Sequence, residues 1–424
     1  MKSIPCPALV LALAFALMAT TGVAQHAGDL VVLDTQQNHV LTGPRGGTLS
    51  TLAVLSSLNS YGPMAAGPGD GSALVLALAQ TAVPRTYLWR VDTSGVNTLS
   101  SFFIFPMSAA AIDLDDAGDL VLLTRWNGSQ NGLYRAPLVG ATTLSPVALW
   151  PKGAAEPVAF AEQVDTGNWW ILDQAGVLHL VARGGGAVLS LAHTSTTSLR
   201  AGNLAEDPLT GDVLLASEWS LLRYEPVISK LTTVFFPGMP QGGTEALGLH
   251  FDQQSRGWLF SNWMGFGPGM FGFVHEFDAK LSTIVRSTAL GTPRRPDNLL
   301  AAWGRAFTAA SAPEVGKTYA LKLLSPADAS QAYRAALAFS SRPGLATPLG
   351  PIPLTPDSLF FLSLSGAPIF RGFAGALDPR GEAALAIDIP NLGALRGLRC
   401  VAAAVAADAQ GLRRILGPHG FTLR

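Results

Sequence analysis

Four charged side chains recur at matched places in a chain that is otherwise poor in charge. Glu156, Arg200, Glu245 and Asp297 each lie seven residues ahead of a turn, and two further copies of that position are Pro63 and Ser108. Charged residues make up 13% of the 424, against about 25% in an average soluble chain, so four in six is a concentration. Three carboxylates and one guanidinium around a common opening would hold a cation such as Ca²⁺, or a polar ligand. The plainer expectation is a solvated ring with local Arg200–carboxylate pairs, which are worth little energetically. Either outcome requires the four to converge, and that depends on the elements that carry them.

Those elements are copies of one phrase: an apolar run, an acidic or turn residue, a glycine, and a second apolar run. The clearest copy spans 110–123, with Ile112, Asp115, Gly118 and Val121. Its glycine recurs at Gly28, Gly71, Gly118, Gly167, Gly211 and Gly257, with spacings of 43, 47, 49, 44 and 46. Paired apolar runs about a Gly/Asp turn predict a β-hairpin. A third run with alternating polarity follows about ten residues later, as in Val177–Val181 and Phe273–Phe277, and reads as a half-buried strand. A fourth short run ends each copy, as at Thr98-Leu99, Thr143-Leu144 and Leu231–Val234. Four strands per unit of this length predict a propeller blade. The fold class expected is therefore all-β: a six-bladed β-propeller over 25–310, followed by a small C-terminal β-sandwich over 311–424. The closing blade takes its innermost strand from 298–303 and the rest from Leu30 onward.

The phrase resembles the NHL-type repeat, carried here by Ile112, Asp115, Gly118 and Val121, and by Gly167 with Ile171-Leu172-Asp173. It is also similar to the six-bladed lactonase and streptogramin-lyase-like propellers. The resemblance covers about 28–304. It implies the six-bladed architecture and, in the lactonases, a divalent ion held by carboxylate and amide side chains near the channel mouth. The copies depart from the pattern where Arg256 precedes Gly257 and where the blade at Gly71 is poor in Asp.

Past Ala310 the pattern changes. Thr318–Leu323, Leu359–Leu364, Ala383–Ile389, Leu398–Val405 and Phe421–Leu423 are expected strands between Pro/Gly turns, and Ala332–Phe339 reads as strand in preference to helix. Gly375–Gly381 followed by Leu385–Pro390 resembles a C-terminal module of secreted bacterial proteins.

The first 24 residues read as a signal peptide: Lys2, an apolar stretch from Ala8 to Ala19, and small residues at Gly22 and Ala24. Export follows, to a secreted, cell-surface or periplasmic location, with no membrane span after cleavage. Cys400 is then the one cysteine left, and its apolar neighbours predict a buried thiol. A net charge of −1 argues against a nucleic-acid partner. The seven histidines are scattered without zinc spacing, and no nucleophile elbow, P-loop or dinucleotide fingerprint is present in context. Asp113, Asp115 and Asp116 come nearest to a Ca²⁺ loop but lack its downstream Glu. His179, His250 and His275 fall within strands and are expected to be packed. Trp126, Trp219 and Trp263 end second strands, where they would pack between blades or form a face for sugars or peptides.

The expectation from sequence is thus an exported, non-enzymatic binding or surface-interaction protein without a cofactor. Its ligand would be a protein, a carbohydrate or a small polar molecule, with Glu156, Arg200, Glu245 and Asp297 as the binding residues. The alternative is a metal-assisted lactone hydrolase or lyase that uses the same ring.

Overall fold

The computed structural model describes residues 30–424 except 35–36, 44–47, 56–58, 68–72, 80–84, 93–94, 103–107, 126–130, 194–201, 218–220, 235–243, 252–257, 265–270, 279–282, 291–295, 301–305 and 310. The expected leader, the anchors Gly28, Gly71 and Gly257, and Arg200, Trp126 and Trp219 lie outside the described residues.

The apolar runs fold as antiparallel hairpins about their Gly/Asp turns. β1 (Leu30–Asp34), β2 (His39–Gly43) and β3 (Ser50–Val54) begin the first sheet. The second comprises β4 (Asn59–Ala66), β5 (Ala73–Ala79), β6 (Arg85–Asp92) and β7 (Gly95–Phe102). The third holds β8 (Ser108–Leu114), β9 (Leu120–Arg125), β10 (Gly132–Ala136) and β11 (Ser145–Leu149). The fourth holds β12 (Pro157–Glu162), β13 (Trp169–Asp173), β14 (Val177–Val181) and β15 (Val188–His193). The fifth holds β16 (Gly202–Glu206), β17 (Val213–Ser217), β18 (Leu221–Glu225) and β19 (Lys230–Val234). The sixth holds β20 (Thr244–Phe251), β21 (Trp258–Met264), β22 (Phe271–Asp278) and β23 (Thr283–Ala289). β24 (Pro296–Leu300) then returns to pair with β1, Val31 opposite Leu300, and completes the first sheet from the other end of the ring. This is the closure expected from sequence, shifted by two residues at its start.

Among the described residues, 30–300 therefore form six four-stranded sheets. Their inner strands touch in turn: β24 with β4, β4 with β8, β8 with β12, β12 with β16, β16 with β20, and β20 with β24. The circuit closes on itself, which makes the arrangement a propeller. Cores lie between neighbouring sheets, such as Leu74 and Leu76 against Leu120 and Leu122, and Trp170 and Leu172 against Leu204 and Leu215. Each fully buried Leu contributes about 1.5–3 kcal/mol. Second strands lie between two neighbours, which is why Leu30–Asp34 and Trp169–Asp173 are buried at every residue. One expected strand is displaced. The fourth run of the third sheet is Ser145–Leu149, not Thr143-Leu144, because Gly132 pairs with Leu149 across the sheet.

The C-terminal unit is two further antiparallel sheets. One contains β25 (Phe307–Ala309) and β26 (Thr318–Leu324), and the other contains β27 (Ala332–Ala338). After α1 (Ser358–Leu364) come β28 (Phe370–Arg371) and β30 (Glu382–Asp388), which join the first. β29 (Ala374–Ala376), β31 (Arg399–Asp408) and β32 (Gly411–Thr422) join the second. Tyr319, Leu321, Leu385 and Ile387 of one sheet meet Leu337, Ala402, Leu416 and Phe421 of the other in a shared core. The opposite face of β31 packs Val401, Ala403 and Val405 against Phe360 of α1 and Leu354. Burial on both faces explains its unbroken apolar sequence. Cys400 lies in the shared core as a free buried thiol, and burial pushes it up to about 12.

The segment 359–364, expected as a strand, is the helix α1. Its start signal outweighs the β character of Phe360 and Phe361. Asp357 caps it, Oδ1 accepting from Phe360 N at 2.9 Å, while Phe360 and Ser363, three apart, form the buried face. Oδ2 of the same carboxylate accepts from Phe339 N at 2.7 Å. Asp357→Ala therefore releases both a helix cap and the end of β27. A loss of about 1–2 kcal/mol is expected from urea unfolding, and an unchanged midpoint would refute the double role.

Candidate functional site

Inner strands all run the same way, so the ring has two chemically different ends. Ser108 opens β8, Glu156 directly precedes β12, and Glu245 and Asp297 are the second residues of β20 and β24. The backbone thus places these four positions where inner strands start, whereas the equivalent Pro63 is the fifth residue of β4. Glu156 is held within its own blade: its carbonyl accepts from Gln174 N at 2.7 Å, and Oε2 from Gln174 Nε2 at 3.4 Å. The side chains of Glu245, Asp297 and Trp263, like all of Arg200, lie outside the described residues.

At the other end are the hairpin turns of the repeated phrase, and their acids first serve the turns themselves. Asp115 Oδ1 accepts from Ala117 N at 2.8 Å and Asp119 N at 3.0 Å, and Oδ2 pairs with Arg135 at 2.9 Å. Asp207 Oδ1 accepts from Leu209 N at 2.8 Å. Short Asp side chains satisfy backbone donors in this way in turns generally. Among the described residues no group of three or more His, Cys, Asp or Glu is placed to hold a metal ion.

These turns carry the C-terminal unit. Arg399, 8% exposed, donates Nε to Val164 O at 3.0 Å and Nη2 to Glu162 Oε1 at 2.9 Å, and its Nη1 is 3.5 Å from Asp116 Oδ2. Asp116, 0% exposed at its side chain, also accepts from Thr422 N at 3.0 Å and pairs with Arg183. Burial and the neighbouring Arg399 pull Arg183 down to about 10, so it stays charged at neutral pH. A second cluster lies one blade along. Arg342 Nε meets Asp165 Oδ2 at 3.0 Å and Nη2 meets Glu206 Oε1 at 2.9 Å. Ser341 N donates to Asp165 Oδ1 at 2.8 Å. Trp170 Nε1 donates to Glu206 Oε2 at 2.6 Å.

Two of the repeat glycines are required by this docking. Gly167 and Gly211 have φ of +71° and +75°, which L side chains rarely adopt. A Cβ on Gly167 would lie 2.8 Å from Arg399 Nη1, and one on Gly211 would overlap the Arg342 guanidinium. The same turn that closes the hairpin therefore makes room for an arginine from the second unit.

Inside the ring, the later halves of the inner strands and the C-terminal unit enclose a cavity of about 310 Å³. Its walls include Ala111, Ala159 and Ala205, and the docked unit contributes Phe307, Arg399 and His419. Glu162 and Glu206 face it from the ring. Burial pushes the Glu206 carboxyl up to about 8, against the pull of Arg342 and Trp170. The cavity is thus a channel covered at its turn end, and the charged groups there are engaged in holding the cover. Sequence reasoning named Asp116 only as part of an incomplete Ca²⁺ loop, and named none of Glu162, Asp165, Glu206, Arg342 or Arg399. The local signal was thin: Arg399 beginning an apolar run was a hint of a buried, paired guanidinium.

Neither a protein-family model nor a curated protein sequence matches the chain. Among solved structures it is similar to a chain of a nidogen/laminin complex, at 10% identity over 64% of this chain and 97% of that one, with a TM-score of 0.49. It is also similar to a protein from Lactobacillus plantarum, at 11% identity over 70% and 92%, TM-score 0.41. A third is the β-propeller domain of Myceliophteria thermophila Cps50 (Swd1), at 12% identity over 69% and 94%, TM-score 0.40. No helix among the described residues is long and apolar enough to cross a membrane. The pairing and closure of its own sheets, rather than these distant likenesses, make this chain a β-propeller with a second all-β unit fixed to one end of the ring.

Proposed function

We propose that this chain is an exported binding protein: an NHL-like, six-bladed propeller whose C-terminal β-sandwich is a fixed cover. Its ligand, a protein, carbohydrate or small polar molecule, is taken at the opposite rim, where Glu156, Arg200, Glu245 and Asp297 stand. One observation carries this reading. The carboxylates Asp116, Glu162, Asp165 and Glu206 at the turn end are engaged by arginines and backbone donors, whereas Glu156 at the other end contacts only Gln174 of its own blade in the bonds described above. Glu156 takes no part in the docking bonds described above and is available to a ligand.

The test is a thermal-shift screen of the purified chain against arrayed peptides and oligosaccharides and against Ca²⁺. A ligand at 100 times its Kd stabilises by about 2.7 kcal/mol, a shift of several degrees. Binding weakened at least tenfold in Glu156→Ala and Asp297→Ala supports the rim. Ligands bound equally well by both variants refute it. A Ca²⁺-induced rise that disappears in Glu156→Ala and Glu245→Ala would replace this reading with the metal-assisted hydrolase.

A further inference from the structure

A different set of groups lies across the three outer strands of the fourth sheet. β13 ends at Asp173, whose turn closes through Gly176 N to Asp173 O at 3.0 Å. Oδ1 is fixed by Val177 N at 2.8 Å, and Oδ2 lies 2.8 Å from His179 Nε2 on β14. The other ring nitrogen, Nδ1, lies 3.0 Å from Ser190 Oγ on β15. Trp150 packs edge-on against the imidazole with centroids 4.8 Å apart. Asp173 and His179 are buried, and Ser190 is exposed.

Partner chemistry assigns the tautomer. A carboxylate only accepts, so Nε2 carries the proton and Nδ1 presents its lone pair to the Ser190 hydroxyl. An oriented base beside an exposed hydroxyl, with a buried acid behind it, is the arrangement that activates a serine. The ring nitrogens are exchanged relative to the common serine-hydrolase arrangement, but the roles are the same. Among the described residues β15 has one strand neighbour, β14, so the N–H groups on its outer edge point away from the sheet, where an oxyanion can meet them. A bulge at Leu191 interrupts the pairing beside Ser190, and bulges re-aim side chains at such places. Leu191, at the bulge, is 37% exposed and offers apolar surface to an acyl chain.

A scaffold role common to all blades does not account for the histidine. Residues paired across from the fourth residue after each anchor are Leu41, Trp89, Tyr134, His179, Leu222 and Val274. Only the sheet with Asp173 has histidine there. The sixth sheet supplies an internal comparison. His275 Nδ1 lies 2.8 Å from the exposed Ser287 Oγ, but the register position matching Asp173, two residues beyond the residue paired with the histidine, is Asn262.

We propose that Ser190, His179 and Asp173 form an acyl-transfer site on the outer flank of this blade, acting on small esters with an apolar acyl group. Ser190 Oγ attacks the carbonyl carbon while its proton passes to His179 Nδ1. The tetrahedral intermediate collapses, the C–O bond to the leaving alcohol breaks, and that alcohol leaves with the proton from Nδ1. Water then attacks the acyl-serine, giving its proton to Nδ1, and the carboxylic acid departs as Ser190 regains its proton. This activity is independent of ligand binding at the rim.

The experiment treats the full chain with a fluorophosphonate probe and maps the adduct, alongside p-nitrophenyl butyrate hydrolysis. Labelling is expected at Ser190 and not at Ser287. It should be lost in Ser190→Ala and fall at least ~100-fold in Asp173→Asn, while Ser287→Ala leaves it unchanged. Ser190→Ala, at an exposed position, should keep the wild-type Tm while losing hydrolysis. No adduct at Ser190 between pH 6 and 9, or full hydrolysis in Ser190→Ala, overturns the proposal. So does a lowered Tm in Ser190→Ala and Asp173→Asn without labelling of the wild type, since the three groups would then only brace the blade.

Discussion

Arg399→Ala is expected to destabilise the chain by about 3–5 kcal/mol, the range for removing one member of a buried ion cluster. The guanidinium is 8% exposed and reaches Val164 O, Glu162 and Asp116 together. Its removal leaves Asp116, 0% exposed at its side chain, with Thr422 N and Arg183 as described partners close enough to hydrogen-bond. Arg183 stays beside both Asp116 and Glu162, so the effect is the loss of the bonds that Arg399 itself makes across the two units. A companion separates charge from geometry. Arg399→Lys keeps the charge but not the planar fork, and should recover only part of the loss. Urea unfolding measures both. Limited proteolysis between residues 301 and 317 should become faster as the C-terminal unit loosens from the ring. A midpoint within about 0.5 kcal/mol of wild type would show that the arginine is not what fixes the two units.

Glu206 should make stability fall as pH rises. Its carboxyl is pushed up to about 8 by burial, from an ordinary value of 4.5. Between those values the native chain keeps a proton that the unfolded chain has released. Stability from this group is fully present below pH 4.5 and is lost as pH climbs through 8. The full swing is of order 5 kcal/mol at 1.36 kcal/mol per pH unit. Asp165, beside Glu206, adds to the upward push, while Arg342, Trp170 and Val164 N oppose it. Glu206→Gln keeps the shape and one acceptor but cannot titrate. The variant is expected to lose stability at pH 5, where it gives up a good acceptor, and to match or exceed wild type at pH 8.5. Unfolding curves at several pH values isolate the effect as the difference in slope, since other groups titrate alike in both proteins. Parallel slopes would sink it.

Much of the ring was readable before any fold was known, because hairpins are local. Each Gly/Asp turn joins runs a few residues apart, and alternation within Val177–Val181 already marks two faces. Copies at regular spacing then imply sheets that cover one another's faces. Closure was expected from 298–303, and the strand that pairs with β1 is 296–300. The helix 358–364 was misjudged because a short apolar run suits either state, and Asp357 as a cap was the overlooked signal. Ser108, Glu156, Glu245 and Asp297 fell at the starts of inner strands because the repeat sets their register, whereas Pro63 is the fifth residue of β4.

Docking and the serine site were not readable in this way. Arg399 and Asp116 are 283 residues apart, and Arg342 and Glu206 are 136 apart. Nothing in the neighbourhood of either partner announces the other. Ser190, His179 and Asp173 are close in sequence but belong to three strands, and only the sheet's register and the bulge at Leu191 align them. Periodicity therefore settles the blades, since strand pairing and alternation are properties of neighbouring residues. Which acids are buried, which arginines neutralise them and which hydroxyl meets a base are decided by packing between distant segments. There, desolvation makes an unpaired charge costly enough to select one arrangement.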